Sequence, residues 1–587
     1  MRFRSCNRLA SAIVALMPLI FADLANSQNY ERYKPLELPQ TNRRVPEFPA
    51  TDDLPKQVED DRILVESLDA VVFVDNDSKI ATDASIDSLE GIHYDFEDLD
   101  ALVFKSQIRD IVSQQLGRPI TLRRINELSR DIIKQYRKCK LPIVDVVIPE
   151  QRITSGTLHI VVIESHVGSV RIKPGCYFDC DDVSQWIQCT MPDQRIYEPW
   201  IEDDLLWMNQ NPYHRVSVDF DKGTDPGTTD IIYSIKDVRP IRGYVGADDT
   251  GVASLNFGRF NTGLMYGNLF GRGGILSYQY TADQTFSTLN AHAVSYNQPL
   301  NRLYSINAYG SWAGVTPAIG NGLNQNGESW QTGGEIVRHL DRSRNLTRNL
   351  NFGYDFKSTN NNLEFSGSTV SNSNADLFQL RMGFEQSHRQ DVGDYSFTRA
   401  NLFVGPGGGT TDAHSTDAFE TVRPGSSPDY VYGRLIHEES VLVCPEWQLV
   451  ARGSGQVASE RLLFSETLGL GGFDTIRGYD QRSYNADNGW TGSVEYGWLS
   501  ARSNCDEGMR VFRVYSFLDM GNGYVIDRQP GEDGSVFALS TGLGTRYQLS
   551  DRLIARLDLG IGLVDLPASE NDGRIHFGIT WVPGPRP

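Results

Sequence analysis

Alternation of apolar and polar residues, sustained from Arg239 to the end of the chain with no helical interruption, is the feature that most limits the folds open to this sequence. In Arg552–Leu563, the residues Leu553, Ala555, Leu557, Leu559, Ile561 and Leu563 share one face of an extended strand. Arg552, Ile554, Arg556, Asp558, Gly560 and Gly562 share the other. In RIHFGITW, Ile575, Phe577, Ile579 and Trp581 oppose Arg574, His576, Gly578 and Thr580. In YSINAYGSW, Tyr304, Ile306, Ala308, Gly310 and Trp312 oppose Ser305, Asn307, Tyr309 and Ser311. A soluble β-sandwich also alternates, burying one face in a dry core. Length separates the two: about 350 residues of such strands, with aromatics at strand ends, fit a barrel that shows apolar residues to lipid and polar ones to a wet lumen. At roughly 22 residues per strand and loop the expected number is about 16 strands over 239–587.

Composition agrees with a mainly β protein. The 587 residues include 54 Gly, 25 Tyr, 26 Phe and 9 Trp, a profile of turn and strand formers. A net charge of −20 leaves no broad basic surface for a phosphate backbone, so nucleic acid is not an expected partner. Downstream of the first residues no run approaches the ~18 uninterrupted apolar residues of a membrane helix, which leaves strands as the means of crossing a bilayer.

The amino-terminal third reads differently. Arg2, Arg4 and Arg8 precede an apolar run from Leu9 to Ala22, and Ala25 and Ser27 have the spacing of a cleavage site. Residues 1–27 are therefore expected to be a secretory signal. Residues 28–67, with Pro35, Pro39, Pro46, Pro49 and Pro55 among many charges, read as a Pro-rich linker without helical periodicity. From Asp69 a strand, DAVVFVDN, leads into two helical patterns. Ile108, Ile111, Val112 and Leu116 mark the first; Leu122, Ile125, Leu128, Ile132 and Ile133 mark the second. Two strands, PIVDVVIPE and TLHIVVIES, complete a unit over 68–165. The order recurs over 166–238: the strand HVGSVRIK, helical candidates at 182–188 and 198–210, and a hairpin across Asp225-Pro226-Gly227.

Outside the signal the cysteines are Cys139, Cys176, Cys180, Cys189, Cys444 and Cys505. They form no C-x-x-C pair and have no neighbouring histidine to complete a zinc set, so no metal is expected, and disulfides are the expected state in an exported chain. No Ser-His-Asp arrangement is visible, and GPGGG at 405–409 lacks the Gly-Lys-Ser/Thr ending of a phosphate loop. The chain is expected to be neither an enzyme nor a cofactor protein. His166, His214, His292 and His437 read as structural or surface residues.

Tandem modules of this order resemble POTRA domains. VVIPEQRITSGTLHIVVIESHVGSVRI is similar to the junction of the two POTRA domains in the two-partner secretion transporters, the haemolysin secretion/activation family, and LLWMNQNPYHRVSVDF resembles that family's second POTRA. TIRGYD, at 475–480, matches the family's signature of Val/Ile-Arg-Gly-Tyr/Phe, carried at the tip of a long extracellular loop that folds back into the barrel. The resemblance spans about 68–587. It implies an outer-membrane transporter whose POTRA domains, in the periplasm, capture an unfolded, β-helical exoprotein client and pass it through the barrel to the cell surface. Outer-membrane lipid and the barrel insertion machinery are the other implied partners. The alternative is a POTRA-barrel assembly factor, which shares the modules and the Arg-Gly-Tyr/Phe loop; two modules rather than a longer series, and the Pro-rich leader, favour secretion.

The motif makes physical demands. An Arg477 held in a lumen needs a counter-charge, because leaving it unpaired away from bulk water is costly. In RVFRVYSFLDMGNG, parity puts Phe512, Val514, Leu518 and Met520 toward lipid and Arg513, Tyr515, Phe517, Asp519 and Gly521 toward the lumen. Asp519 also matches the acidic position of the family's F-x-D-x-G strand, here Phe517 to Gly521. Glu495, on the polar face of SVEYGW, is a second candidate partner. Arg477, Gly478 and Tyr479 form the expected luminal motif, and Gly469, Gly471 and Gly472 permit tight folding around it.

Overall fold

Helix formation near the amino terminus follows from a cap and a stripe. The Thr121 side chain accepts from the Arg124 amide at 3.3 Å and starts the helix Leu122–Lys138. Ile125, Leu128, Ile132, Ile133 and Tyr136 lie buried along one face of it. They pack, with Ile108 and Val112 of the helix Lys105–Ser113, onto Val71, Phe73, Leu158 and Ile160 of a sheet. Each such fully buried aliphatic side chain stabilises the module by about 1.5–3 kcal/mol. The computed structural model describes residues 33–36, 59–80, 89–95, 105–153, 155–252, 255–316, 323–365, 368–391, 393–504, 508–549, 552–566 and 573–583. The expected signal, most of the Pro-rich linker and Cys505 lie outside the described residues.

The sheet has four strands, in the order Gly91–Asp95, Ala70–Val74, Thr157–Glu164, Val144–Val147. Its first edge strand, parallel to Ala70–Val74, is absent from the expected order: GIHYD does alternate, with Ile92 and Tyr94 packed against the core, but over only five residues. Ile63–Val65, at the end of the expected linker, pairs with Ile120–Thr121 and so belongs to this module. Farther upstream, Tyr33–Leu36 lies against the inner barrel wall: the Leu36 amide donates to the Tyr244 hydroxyl at 2.8 Å, and Gln279 Nε2 donates to the Tyr33 carbonyl at 3.2 Å.

The next sheet has the order His166–Lys173, Thr228–Asp237, His214–Lys222. Gly227, at φ +77°, supplies the left-handed residue of the hairpin turn. The first expected helix of this module is shorter than its pattern, Cys180–Ser184, and the second runs Glu198–Met208. That second helix docks on the barrel's short turns. Arg302 Nη1 and Nη2 pair with Asp203 and with the fully buried Asp204, Arg344 pairs with Glu202 at 3.0 Å, and the Arg342 guanidinium lies 4.9 Å from the Trp207 ring. Cys189, Asp203 and Asp204 are close enough to hold an ion, but Arg302 is the cation they receive. The expected disulfides are not formed among the described residues: Cys139, Cys176, Cys180, Cys189 and Cys444 are free thiols, and Cys189 Sγ faces Arg302 Nη1 at 3.2 Å.

Sixteen antiparallel strands from Ile241–Asp248 to Arg574–Trp581 close into a barrel. Neighbours in sequence are neighbours in the wall. The exception is Trp447–Ala458, which pairs with Asn488–Asn504 across the intervening loop. Parity holds where it was read: Leu557, Leu559, Ile561, Leu563, Ile575, Phe577, Ile579 and Trp581 point outward and are exposed, while Asp558 and His576 are buried inside. Several strands are longer than a bilayer requires. Leu323–Arg342 and Leu346–Phe365 have 20 and Ser368–Asp391 has 24, beyond the ~9–11 that a bilayer requires. The closing seam is short, with four residue pairs from Val245↔Trp581 to Asp248↔Gly578.

The lumen is less wet than alternation alone implies. Leu468, Leu470, Ile476, Tyr479 and Ala486 of the loop 459–487 pack with the wall residues Val536 and Ala538 as an apolar cluster. The loop 407–428, which begins in the GPGGG segment, carries a helix, Thr416–Val422, whose Phe419 is fully buried against Phe403, Tyr430 and Tyr432.

Candidate functional site in the barrel lumen

Two close approaches and two left-handed glycines decide how the segment GGFDTIRGYD folds. Gly471 and Gly472 have φ of +103° and +109°, which turn the chain at the tip of the loop. A Cβ on Gly478 would stand 2.5 Å from the Gly562 amide nitrogen and 2.6 Å from Ser540 Cβ, so only glycine lets the backbone lie against the wall here. A Cβ on Gly560 would stand 2.3 Å from the Arg477 carbonyl oxygen. Next in the motif, Tyr479 is fully buried, and its hydroxyl lies 2.6 Å from the Val564 carbonyl and 2.8 Å from that of Leu539. Gly521, in the F-x-D-x-G strand, leaves the space that Ile476 enters; a Cβ there would come within 2.9 Å of Ile476 Cδ1.

This seat delivers Arg477, 2% exposed, to a set of acids on the wall. Nε donates to Asp519 Oδ2 at 2.8 Å and Nη2 to Oδ1 at 2.7 Å, a two-point contact between planar groups. The Arg477 amide adds a third bond to Asp519 at 3.1 Å. Nη1 donates to Glu495 Oε1 at 2.7 Å, Nη2 to Ser493 Oγ at 3.0 Å, and Asp558 Oδ1 lies 3.4 Å from Nη1. The guanidinium sits 3.7 Å from the Phe517 ring centroid, where a cation is attracted to the ring face. The structure thus brings together Arg477, Asp519, Glu495 and Phe517, with Gly478, Tyr479 and Gly521 shaping the seat.

Register explains the convergence. Ser493 pairs with Asp519 and Glu495 with Phe517 across one strand boundary, and Arg452 pairs with Glu438 and Ser493 across two others. One belt of the wall therefore holds Arg452, Arg513 and Arg546 with Glu438, Glu495, Asp519 and Asp558. Glu495 also accepts from Arg452 Nη1 at 2.6 Å and Arg513 Nη1 at 2.5 Å, Arg452 lies 3.3 Å from Glu438, and Arg546 lies 2.8 Å from Asp558. The wall alone carries four acids and three guanidiniums; the loop brings the fourth guanidinium. Arg477 is the charge that balances the belt.

Single-strand parity identifies the acids but not their other partners, because Arg452, Arg513, Arg546, Glu438 and Asp558 meet only through cross-strand register. A second contact of the loop was also missed. Glu466 is fully buried and accepts from Lys357 Nζ at 2.6 Å, on a strand six places from that of Asp519 around the wall, and from the Tyr432 hydroxyl at 2.7 Å. Arg423, on the neighbouring loop, donates to Asp487 Oδ1 at 2.6 Å. The loop thus crosses the lumen and is fastened on both sides.

Residues 227–547 match the family of haemolysin secretion/activation proteins ShlB/FhaC/HecB, and residues 92–165 match the POTRA domain of ShlB type. The chain belongs to this family. It is an outer-membrane, two-partner secretion transporter that works with a secreted exoprotein; its POTRA domain is periplasmic, and the loops at the opposite end of the barrel face the exterior. The heme/hemopexin transporter protein HuxB of Haemophilus influenzae (strain 86-028NP) is 22% identical over 404 residues, which cover 67% of this chain and 69% of that protein. CdiB from Escherichia coli shares the fold at a TM-score of 0.59 and 15% identity, with 91% of this chain and 94% of that one covered. BamA from Haemophilus ducreyi lacking POTRA domains 1-3 shares it at 0.54 and 12% identity, covering 82% of this chain and 97% of that one.

Proposed function

We propose that loop 459–487, held by Arg477 on Asp519 and Glu495, is the working element that obstructs the lumen at rest and is displaced or reshaped when a client passes. The observation that carries this reading is the buried, two-point Arg477–Asp519 contact on a loop that crosses the lumen. Residues 68–165 and 166–238 act as two POTRA domains ahead of the barrel at 239–587. An unfolded, β-helical client is captured on an open sheet edge, Gly91–Asp95 or Val144–Val147 in the first module and His166–Lys173 or His214–Lys222 in the second, by addition of a client strand. Folding of the client outside the cell supplies the bias, and the chain itself catalyses no reaction. The barrel insertion machinery places the protein in the membrane.

Co-expression with a large exported protein encoded beside this chain, followed by assay of the medium, tests the reading. Arg477→Ala and Asp519→Ala are each expected to cut secretion strongly while the barrel still shifts on heating in a denaturing gel. Arg477→Lys is expected to restore little, since a point charge does not reproduce the planar fork. Normal secretion by a normally inserted Arg477→Ala protein would refute the loop's role.

A further inference from the structure

His576 lies on the last strand, 5% exposed, with both ring nitrogens on acceptors. Nδ1 is 2.7 Å from Asp249 Oδ2 and Nε2 is 3.1 Å from the carbonyl oxygen of Arg477. An ionised carboxylate and a backbone carbonyl only accept, and a neutral imidazole carries only one N–H. Only the imidazolium makes both bonds.

The two acceptors belong to different parts of the molecule. Asp249 follows the first barrel strand and extends the seam with the last one: its other carboxylate oxygen accepts from the Phe577 amide at 2.9 Å, and its own amide donates to the Phe577 carbonyl at 3.3 Å. The Arg477 carbonyl belongs to the loop tip, pressed against Gly560. We propose that His576 is a positioning residue: as an imidazolium it ties the loop tip to Asp249, so that seating of the loop and closure of the seam between first and last strands depend on each other. This rests on the reading of the loop as the obstruction at rest.

Charged groups surround His576 on every side. Asp248 and Asp249 come from the first strand and its end, Arg556 and Asp558 from the preceding strand, Arg574 from its own strand, and Arg477 and Asp480 from the loop. Asp558 is the direct cross-strand neighbour of His576 and pairs with Arg546, while Asp480 pairs with Arg574 at 2.8 Å. These contacts match acids with guanidiniums. Histidine is the residue type that ordinarily changes charge between about pH 5 and pH 8. Loss of its second proton breaks one of the two bonds and leaves a lone pair facing an oxygen.

The test is the conductance of the purified full-length protein in planar lipid bilayers from about pH 5 to pH 8. In the wild type the fraction of time spent open should rise several-fold as pH rises. His576→Gln, with one donor group at every pH, should stay at the high-pH level throughout and lose the pH response. Asp249→Asn leaves the histidine in place but removes the carboxylate that demands the second proton, and should flatten the profile as well. A wild-type pH profile in either inserted variant, or a flat profile in the wild type, overturns the proposal. The wild-type profile decides the matter should neither variant insert. Arg477→Ala separates the two levels of inference. Raised conductance in that variant beside a flat wild-type profile removes the role of His576 and keeps the loop reading, whereas unchanged conductance removes both.

Discussion

Replacing Glu495 by Gln isolates the energetic role of the buried belt. Glu495 receives three guanidiniums, yet they do not depend on it equally. Arg452 keeps Glu438, at 3.3 Å, and Arg477 keeps its two-point contact with Asp519. Arg513, 1% exposed, has Glu495 as its ionic partner among the described residues and otherwise rests 4.3 Å from the Tyr515 ring centroid. The substitution therefore acts mainly through one stranded, buried charge, for which the expected cost is about 3–5 kcal/mol. Removing the stranded charge as well, in Glu495→Gln with Arg513→Met, should recover most of the loss, since replacing both partners avoids an uncompensated ion. Urea-induced conversion between the folded and unfolded electrophoretic forms in detergent measures both variants and the Arg513→Met single change, closing the cycle. A cost for Glu495→Gln below about 1 kcal/mol, the range of a solvent-exposed pair, would refute the view that this belt is desolvated.

Three other outcomes follow from the packing. Leu557→Arg, on the outward face, should impair membrane insertion by about 2–4 kcal/mol if that position lies at the bilayer midplane, read from the folded fraction after refolding into vesicles. Arg302→Ala leaves the fully buried Asp204 without its guanidinium and loosens the second module from the barrel turns; faster proteolysis within 166–238, with the barrel intact, is the expected result. His214 is buried and its imidazole is pushed below the ordinary histidine range chiefly by desolvation, while Asp237 and the Met208 carbonyl oppose the shift. A histidine kept neutral in the fold contributes stability that is present above its unfolded pKa of about 6.5 and is lost as pH falls toward the lower folded value. Protease sensitivity of residues 166–238 should therefore rise on acidification, and His214→Gln should reduce that slope.

Strand alternation in Arg552–Leu563 and RIHFGITW was enough to establish a lipid face, a luminal face and a strand count near sixteen, because a period of two is a local property and one face had to meet hydrocarbon. The helix after Thr121 was legible for the same reason: its cap and stripe lie within one segment. The TIRGYD and F-x-D-x-G segments were legible as a motif, and parity put Asp519 and Glu495 on the correct side of the wall. Gly91–Asp95 escaped because its alternation, Ile92 and Tyr94, spans only five residues, and its pairing with Ala70–Val74 is set by the tertiary fold. Tertiary structure alone decided that Arg477 completes a belt of four acids, that Glu466 meets Lys357 six strands around the wall from Asp519, that Arg302 replaces the expected disulfide chemistry around Cys189, and that His576 stands between the loop and the seam. Each of these joins residues from strands or loops far apart in the chain. Such partners are set by barrel stagger and by the path of a loop through the lumen, and neither is encoded in the spacing of any single segment.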